Sequence, residues 1–383
     1  MPTTNRRVLF VSHDASRSGA PIVLLHFLRW FKANSEIPFD ILLRSGGDLQ
    51  SEFEALAPVW IVGTRPDWRP VPGALVAAAR RPWILRRVAA REPGLVYSNT
   101  AINGDALRVL SAAGRPVVSH IHELESVIRA SRASFEIVKR YTRRYIACSE
   151  AVRTNLVENH AIAAEAIDVV HEFIPARRQA ADATPQPRGR ILQELGIPEG
   201  SLIVGASGTI EWRKAPDLFV QLARTMRQQR RELPIHFIWV GGSRPGSWRL
   251  GKLRRDVLSM GMEQRVHFVG ARPNPLDYFR AFDVFALVSR EDPFPVVCLE
   301  AASAGTPIVC FDGAGGEKEF VEDDCGFVVP YLDVDAMASR TLSLLESAEL
   351  RRRCGARAAD KVNARHDVSI AAPKILKIIE DHL

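Results

Sequence analysis

Short runs of Val, Ile, Leu and Phe alternate along the whole chain with longer stretches whose apolar residues recur at helical spacing. Unbroken apolar runs of strand length suit strands buried on both faces, and helix-length segments between them call for parallel pairing with helices packed over the sheet. In the first half the runs fall at 8–11, 40–43, 59–62, 95–97, 117–121, 145–147 and 167–170, with helical stretches at 22–32, 74–90 and 151–158. In the second half they fall at 202–206, 235–240, 266–269, 284–287, 307–310 and 326–329. The expected class is α/β.

The alternation breaks at 175–189, where Pro175, Pro185 and Pro187 stand among small and polar residues. Proline fixes the backbone and few large apolar groups are present to pack, which suits a linker. The chain therefore divides into a first domain over 1–175, a linker over 176–190, a second domain over 191–366 and a final helix over 367–383. That helix has Ile370, Ile375, Ile378 and Ile379 at helical spacing, and either caps the second domain or crosses back to the first. At 383 residues, two domains are what length alone predicts.

Five cysteines, Cys148, Cys298, Cys310, Cys325 and Cys354, are scattered without metal-binding spacing and read as buried free thiols. The one apolar run near the start is too short for a signal-peptide core or a membrane span, so a cytoplasmic location is expected. The net charge of +7 lies in the first half: 24 Lys and Arg oppose 17 Asp and Glu over residues 1–180, and 27 oppose 27 beyond. Part of the excess mixes with aromatics, in Arg80-Arg-Pro-Trp83-Ile-Leu-Arg86-Arg87 and in Lys139-Arg140-Tyr141-Thr-Arg143-Arg144-Tyr145. Such segments fit either a peripheral seat on the anionic inner face of a membrane or ordinary solvated helix faces. No nucleic-acid motif accompanies the charge, so nucleic acid is not an expected partner.

Two segments of the second half carry chemistry. In Ser289-Arg-Glu-Asp292-Pro-Phe-Pro-Val-Val-Cys-Leu-Glu300-Ala-Ala, Asp292 follows a strand and precedes a proline, where it fits a helix N-cap. Glu300 has apolar residues on every side, and a carboxylate buried there calls for hydroxyl partners such as those of a sugar or a ribose. Upstream, Gly205-Ala-Ser-Gly208-Thr-Ile-Glu-Trp-Arg213-Lys214-Ala-Pro-Asp217 joins a glycine turn to two cations ahead of a helix. Backbone amides freed by glycine approach phosphate oxygens, and adjacent cations neutralise a diphosphate. Solvated basic residues are the plainer alternative, although cations oppose the positive end of the helix dipole unless an anion is bound.

Together these residues resemble the E-x7-E motif and the G-x(n)-R-K-G turn of family 4 retaining glycosyltransferases. Asp292 takes the first acidic position in place of the family's Glu, and Ala215 stands where the family has Gly. The resemblance implies the GT-B plan, two facing Rossmann-like domains around an interdomain cleft. It implies that Asp292, with Glu291 as the alternative, contacts hydroxyls of the transferred sugar, that Glu300 contacts the ribose, and that Arg213 and Lys214 hold the diphosphate. Trp239-Val-Gly241-Gly242, Val266-His-Phe-Val269-Gly270 and Phe311-Asp-Gly-Ala-Gly-Gly316-Glu continue the likeness. The implied donor-binding set adds Gly19, Gly208, Gly241, Val269, Phe294, Pro295 and Val296.

In the first half, the loop Ser12-His-Asp-Ala-Ser-Arg-Ser-Gly19 resembles the family loop beside the donor phosphates. His120-Ile-His122-Glu123 sits where the family often places a His toward the transferred sugar. Alternation puts both histidines on one face of the strand, and His122, nearer its carboxyl end, is the preferred catalytic candidate over His120. The implied reaction moves a sugar from a nucleotide-diphosphate sugar to a hydroxyl of a glycan or lipid-linked acceptor with retention, in cell-surface polysaccharide or glycolipid synthesis, with no metal or other cofactor. Rival readings are a nucleotide-sugar epimerase of the same fold and a non-catalytic module that binds a sugar nucleotide or a membrane.

Overall fold

The computed structural model describes residues 6–63, 82–111, 114–176, 187–243 and 246–383. It divides into two compact units, Met1–Phe173 with Val368–Leu383, and Ile174–Asp367. Helix Pro187–Glu194, in the stretch anticipated as linker, belongs to the second unit. Its Arg188 donates to Asp283 at 2.9 Å and Arg190 to Asp277 at 2.5 Å. Residues 177–186 of that stretch lie outside the described residues, as do 74–81 of the helix anticipated over 74–90, whose residues 82–89 are helical.

The first unit holds strands β1 (Val8–Ser12), β2 (Phe39–Ser45), β3 (Val59–Gly63), β4 (Leu95–Ser98), β5 (Val117–Ile121), β6 (Arg144–Ala147) and β7 (Ile167–Val169). They form one parallel sheet in the order β3-β2-β1-β4-β5-β6-β7. Helix Gly19–Asn34 lays Phe27 and Phe31 on Phe10, Phe39 and Tyr97, with ring centroids 5.2 to 6.1 Å apart. Rings meeting edge to face at these separations add dispersion and quadrupole attraction to their burial.

The second unit holds β8 (Leu202–Ser207), β9 (Ile235–Val240), β10 (Val266–Gly270), β11 (Val284–Leu287), β12 (Ile308–Phe311) and β13 (Gly326–Val329). Their order is β10-β9-β8-β11-β12-β13, again parallel throughout. Every apolar run singled out in the sequence is a strand, with bounds shifted by two residues at most. All five cysteines are free and buried.

In each sheet the chain leaves one central strand in one direction and later returns on its other side. The neighbours at this reversal are β1 and β4 in the first sheet, and β8 and β11 in the second. The loops after such strands diverge and leave a crevice at their carboxyl ends, the usual ligand position in open α/β sheets. No helix among the described residues is long and apolar enough to cross a membrane.

The final helix, Val368–His382, is part of the first unit and packs on helix Gly19–Asn34. It buries Ala371, Ala372, Ile375 and Ile379 and leaves Ile370 exposed, because the two alanines permit close approach where a face built on Ile370 would not. Ile379→Ala, truncating a fully buried side chain, is expected to lower stability by about 2–4 kcal/mol. Urea unfolding of the first-unit signal checks this, and an unchanged midpoint would mean that the helix does not cover that core.

Candidate active site

In the second unit, the loop after β8 carries Gly208, Arg213 and Lys214, and the loop after β11 carries Asp292. Because β8 and β11 are hydrogen-bonded neighbours, two motifs almost eighty residues apart emerge side by side. Lys214 Nζ donates to Asp292 Oδ2 at 2.5 Å, and Ser289 Oγ donates to the same oxygen at 3.0 Å. Asp292 is buried and the lysine largely so. Arg213 reaches Glu211 at 2.7 Å, while its carbonyl accepts from the Arg290 amide. Arg290 is itself held by both oxygens of Asp217 and lies over the Trp212 ring.

The helix after β11 begins at Val296, with Pro295 at its N-cap, so Asp292 is not a cap. The intervening turn carries Asp292 back toward β8. There its amide donates to the Ala314 carbonyl at 2.9 Å, and its own carbonyl accepts from Gly316 at 3.2 Å. The lysine also selects between the neighbouring acids, since Nζ pairs with Asp292 and Glu291 meets the basic loop through its backbone amide. Phe294 is buried in a stack on His366, with centroids 5.4 Å apart, and Pro295 is buried beside it, so these two shape the loop from behind. Val296 is partly exposed.

Gly208 and Gly241 are both required by close backbone approach. A Cβ on Gly241, at φ +138°, would lie 2.0 Å from the Gly208 carbonyl oxygen, and one on Gly208, at φ +155°, would crowd the Lys214 stem at 3.0 Å. The Gly241 amide donates to the Gly270 carbonyl, which brings the partly exposed end of β10, with Val269, next to the β8 turn. Both glycines thus let three strand ends converge under the lysine.

Glu300 lies on helix Val296–Ser303 and is half-buried, without a hydrogen bond or ion pair to its carboxylate among the described residues. Burial pushes its acid up to about 7. A second such acid was missed in the sequence. Glu317, directly after the Gly315-Gly316 turn, is fully buried with neither oxygen in a hydrogen bond. Burial, followed by the repulsion of Asp292, raises it to about 8, against the opposing pull of its own and the Gly315 amide and of Lys214. Its one sequence signal was its place after two glycines that abut the Asp292 loop.

In the first unit, Gly19 opens helix Gly19–Asn34, and a Cβ there would meet nothing within 4 Å. His120 and His122 share a face of β5, with rings 4.0 Å apart. His120 Nδ1 meets the Tyr97 hydroxyl at 2.8 Å, and burial, then the neighbouring His122, holds its pKa well below the usual value. His122 is buried, with Nδ1 2.6 Å from Glu172 and Nε2 3.0 Å from Asn99 Oδ1. The Asn99 amide nitrogen donates to the Ala20 carbonyl, which leaves its oxygen facing the ring. Burial alone would lower the His122 pKa, but Glu172 outweighs it and the pKa is raised.

The His122 ring, expected as a catalytic group, is hydrogen-bonded at both nitrogens within the first unit and ties Glu172, through Asn99, to the start of helix Gly19–Asn34. Cys148 completes a trio with His122 and Glu172 whose ligand atoms lie within 4.8 Å of one another. The short His122–Glu172 bond already occupies two of the three groups.

Of the basic and aromatic segments, Arg80 and Arg81 lie outside the described residues. Trp83 is exposed beneath the Arg87 guanidinium, 4.7 Å from its ring. In the second segment Lys139 pairs with Glu136 and Arg144 with Asp168, so much of its charge is neutralised locally.

The acid of Glu317 sets a pH test. Its folded pKa lies above the unfolded value of about 4.3, so the folded chain retains a proton that the unfolded chain has released. Stability is fully present below the unfolded value and falls as pH rises through 8. Glu317→Gln should therefore raise the melting temperature more at pH 9 than at pH 5, by about 4 °C or more. Equal shifts at both pH values would place the acid in a solvated setting.

A family model described as "Glycosyl transferases group 1" matches residues 187–361, and one described as "Glycosyltransferase Family 4" matches residues 17–178. The chain is 30% identical over 298 residues to the D-inositol 3-phosphate glycosyltransferase of Jonesia denitrificans, covering 72% of this chain and 70% of that protein. The protein of the same name from Stackebrandtia nassauensis is 26% identical over 296 residues, covering 72% and 66%. The matches thus span about two thirds of these relatives' length. Among solved structures, Anabaena HepE in complex with UDP and glucose superposes with a TM-score of 0.83 at 21% identity, covering 98% of this chain and 99% of that one. The lipopolysaccharide-biosynthesis glycosyltransferase WaaG does so with a TM-score of 0.74 at 16% identity, covering 97% and 99%. These two likenesses concern the fold. With both halves matched in order and the two parallel sheets observed, the chain belongs to glycosyltransferase family 4 and has the GT-B fold of two Rossmann-like units.

Proposed function

We propose that the chain is a retaining glycosyltransferase that moves a sugar from a nucleotide-diphosphate sugar to an acceptor hydroxyl. The observation that carries this reading is the Lys214–Asp292 contact of 2.5 Å beside the glycine turn at Gly208. A cation and an acid held together at a sheet's switch point match the two ends of a sugar diphosphate. Lys214 and Arg213 take the diphosphate, Asp292 takes hydroxyls of the transferred sugar, and Glu300 takes hydroxyls of the ribose. HepE of Anabaena has been solved with UDP-glucose, which favours a uridine donor for this chain as well.

In the step, the acceptor oxygen forms a bond to the anomeric carbon on the face from which the phosphate departs. The bond between that carbon and the phosphate oxygen breaks, its electron pair goes to the phosphate, and the acceptor proton passes to a departing phosphate oxygen. Arg213 and Lys214 stabilise the growing charge, a role worth about 3–4 kcal/mol for each well-placed donor. The reading assigns no metal or other cofactor to the step, since two cations already meet the charge. His122 acts through Asn99, positioning the start of helix Gly19–Asn34 and the loop that leads into it. The acceptor is a glycan or a lipid-linked glycan, and the product belongs to cell-surface polysaccharide or glycolipid synthesis.

Lys214→Ala and Glu300→Ala are each expected to lower kcat for transfer from a UDP-sugar by about 100-fold or more, with the circular dichroism spectrum retained. Lys214→Ala leaves Asp292 buried without its cation and costs stability, so Glu300→Ala, which orphans no partner, is the cleaner arm. Near-normal turnover in both variants would overturn the reading.

A further inference from the structure

The first unit has an open pocket of about 510 Å³ whose charge is unbalanced. Arg44, Arg108 and Arg132 line it against a single acid, Asp105, with Ser131 and Ser134 between them. Its volume falls within the range of small-molecule sites.

Three elements build it, all at the carboxyl edge of the first sheet. Arg44 stands near the end of β2, Asp105 and Arg108 lie on helix Gly104–Leu110 after β4, and Arg132 opens helix Arg132–Tyr141 after β5. This is the edge at which the loops after β1 and β4 leave a crevice, and where Asn99 joins His122 to the helix start at Ala20.

Two of the three arginines are unpaired among the described residues. Arg44 donates to the Ile102 carbonyl and to Asp105 at 3.1 Å, and its Nε is buried without a partner. Arg108 and Arg132 are exposed and form no ion pair among the described residues. Ser131, at the N-cap of helix Arg132–Tyr141, makes no side-chain cap bond. The Ser134 amide is bonded to the Ser131 carbonyl, and the Arg132 and Ala133 amides add the positive end of the helix dipole to two unpaired guanidinium groups.

We propose that this pocket binds an anionic phosphate group carried by the acceptor, as a monoester or a diphosphate. Guanidinium forks and helix amides both match phosphate oxygens, whereas a neutral sugar would leave two arginines and a helix end without an anion. The inference rests on the proposed transferase reading, in which the second unit holds the donor and the first unit is left to hold the acceptor. A soluble sugar phosphate and a lipid-linked diphosphate present the same chemistry to the pocket.

The test is calorimetric titration of inorganic phosphate into the full chain, with UDP saturating so that the second-unit cations are occupied. The expected result is that Arg108→Ala/Arg132→Ala weakens phosphate binding by about tenfold or more, while Asp105→Asn tightens it by removing the opposing charge. Glucose 6-phosphate against glucose, and phosphatidylcholine vesicles with and without polyprenyl diphosphate, then distinguish the two carriers. Binding through either one upholds the pocket. Absence of phosphate binding to the wild-type chain, or equal affinity in the double variant, overturns it. UDP affinity, measured separately, reports on the donor site, so a failure of the proposed transferase reading is distinguishable from a failure of this one.

Discussion

The second unit is organised around one ion pair. Lys214 and Asp292 meet at 2.5 Å because β8 and β11 are parallel neighbours whose loops leave the same edge of the sheet. Everything near them serves that contact. Gly208 and Gly241 clear the space beneath the lysine stem, Ser289 donates to the same carboxylate oxygen, and the Ala314–Gly316 turn pins the Asp292 backbone.

Burial shifts two acids of this unit upward, Glu300 to about 7 and Glu317 to about 8. Glu317 feels the repulsion of Asp292 as well, so burial and the ion pair together oppose a further negative charge at the glycine turn. The first unit shows the opposite arrangement. There Glu172 holds the His122 pKa up against the pull of burial, and the imidazole bridges Glu172 and Asn99.

The architecture was legible because parallel strands buried on both faces leave a signal that local context hardly alters. The runs at 117–121, 235–240, 284–287 and 326–329 match the strand bounds of the structure. The spacing of eight positions singled out Asp292 and Glu300, but the contact of Asp292 with Lys214 was not legible in it. What escaped was set by contacts between distant segments. The Asp292-Pro293 pair looks like a helix start, but the bonds from Ala314 and Gly316 draw the chain into a turn and delay the helix to Val296. The ties of His122 were hidden because nothing nearby in sequence shows Glu172 fifty residues on, and Glu317 was passed over at the end of the glycine run that precedes it. The arginine pocket joins residues from three separate crossings of the sheet, and periodicity carries no trace of such a meeting.

The most direct test of the central claim is a crystal structure of the chain with UDP bound. A diphosphate oxygen is expected within about 2.7–3.0 Å of Lys214 Nζ, with Arg213 turned from Glu211 toward the phosphates and the lysine drawn away from Asp292. UDP seated with its phosphates away from the Gly208 turn, and the Lys214–Asp292 contact unchanged, would contradict it.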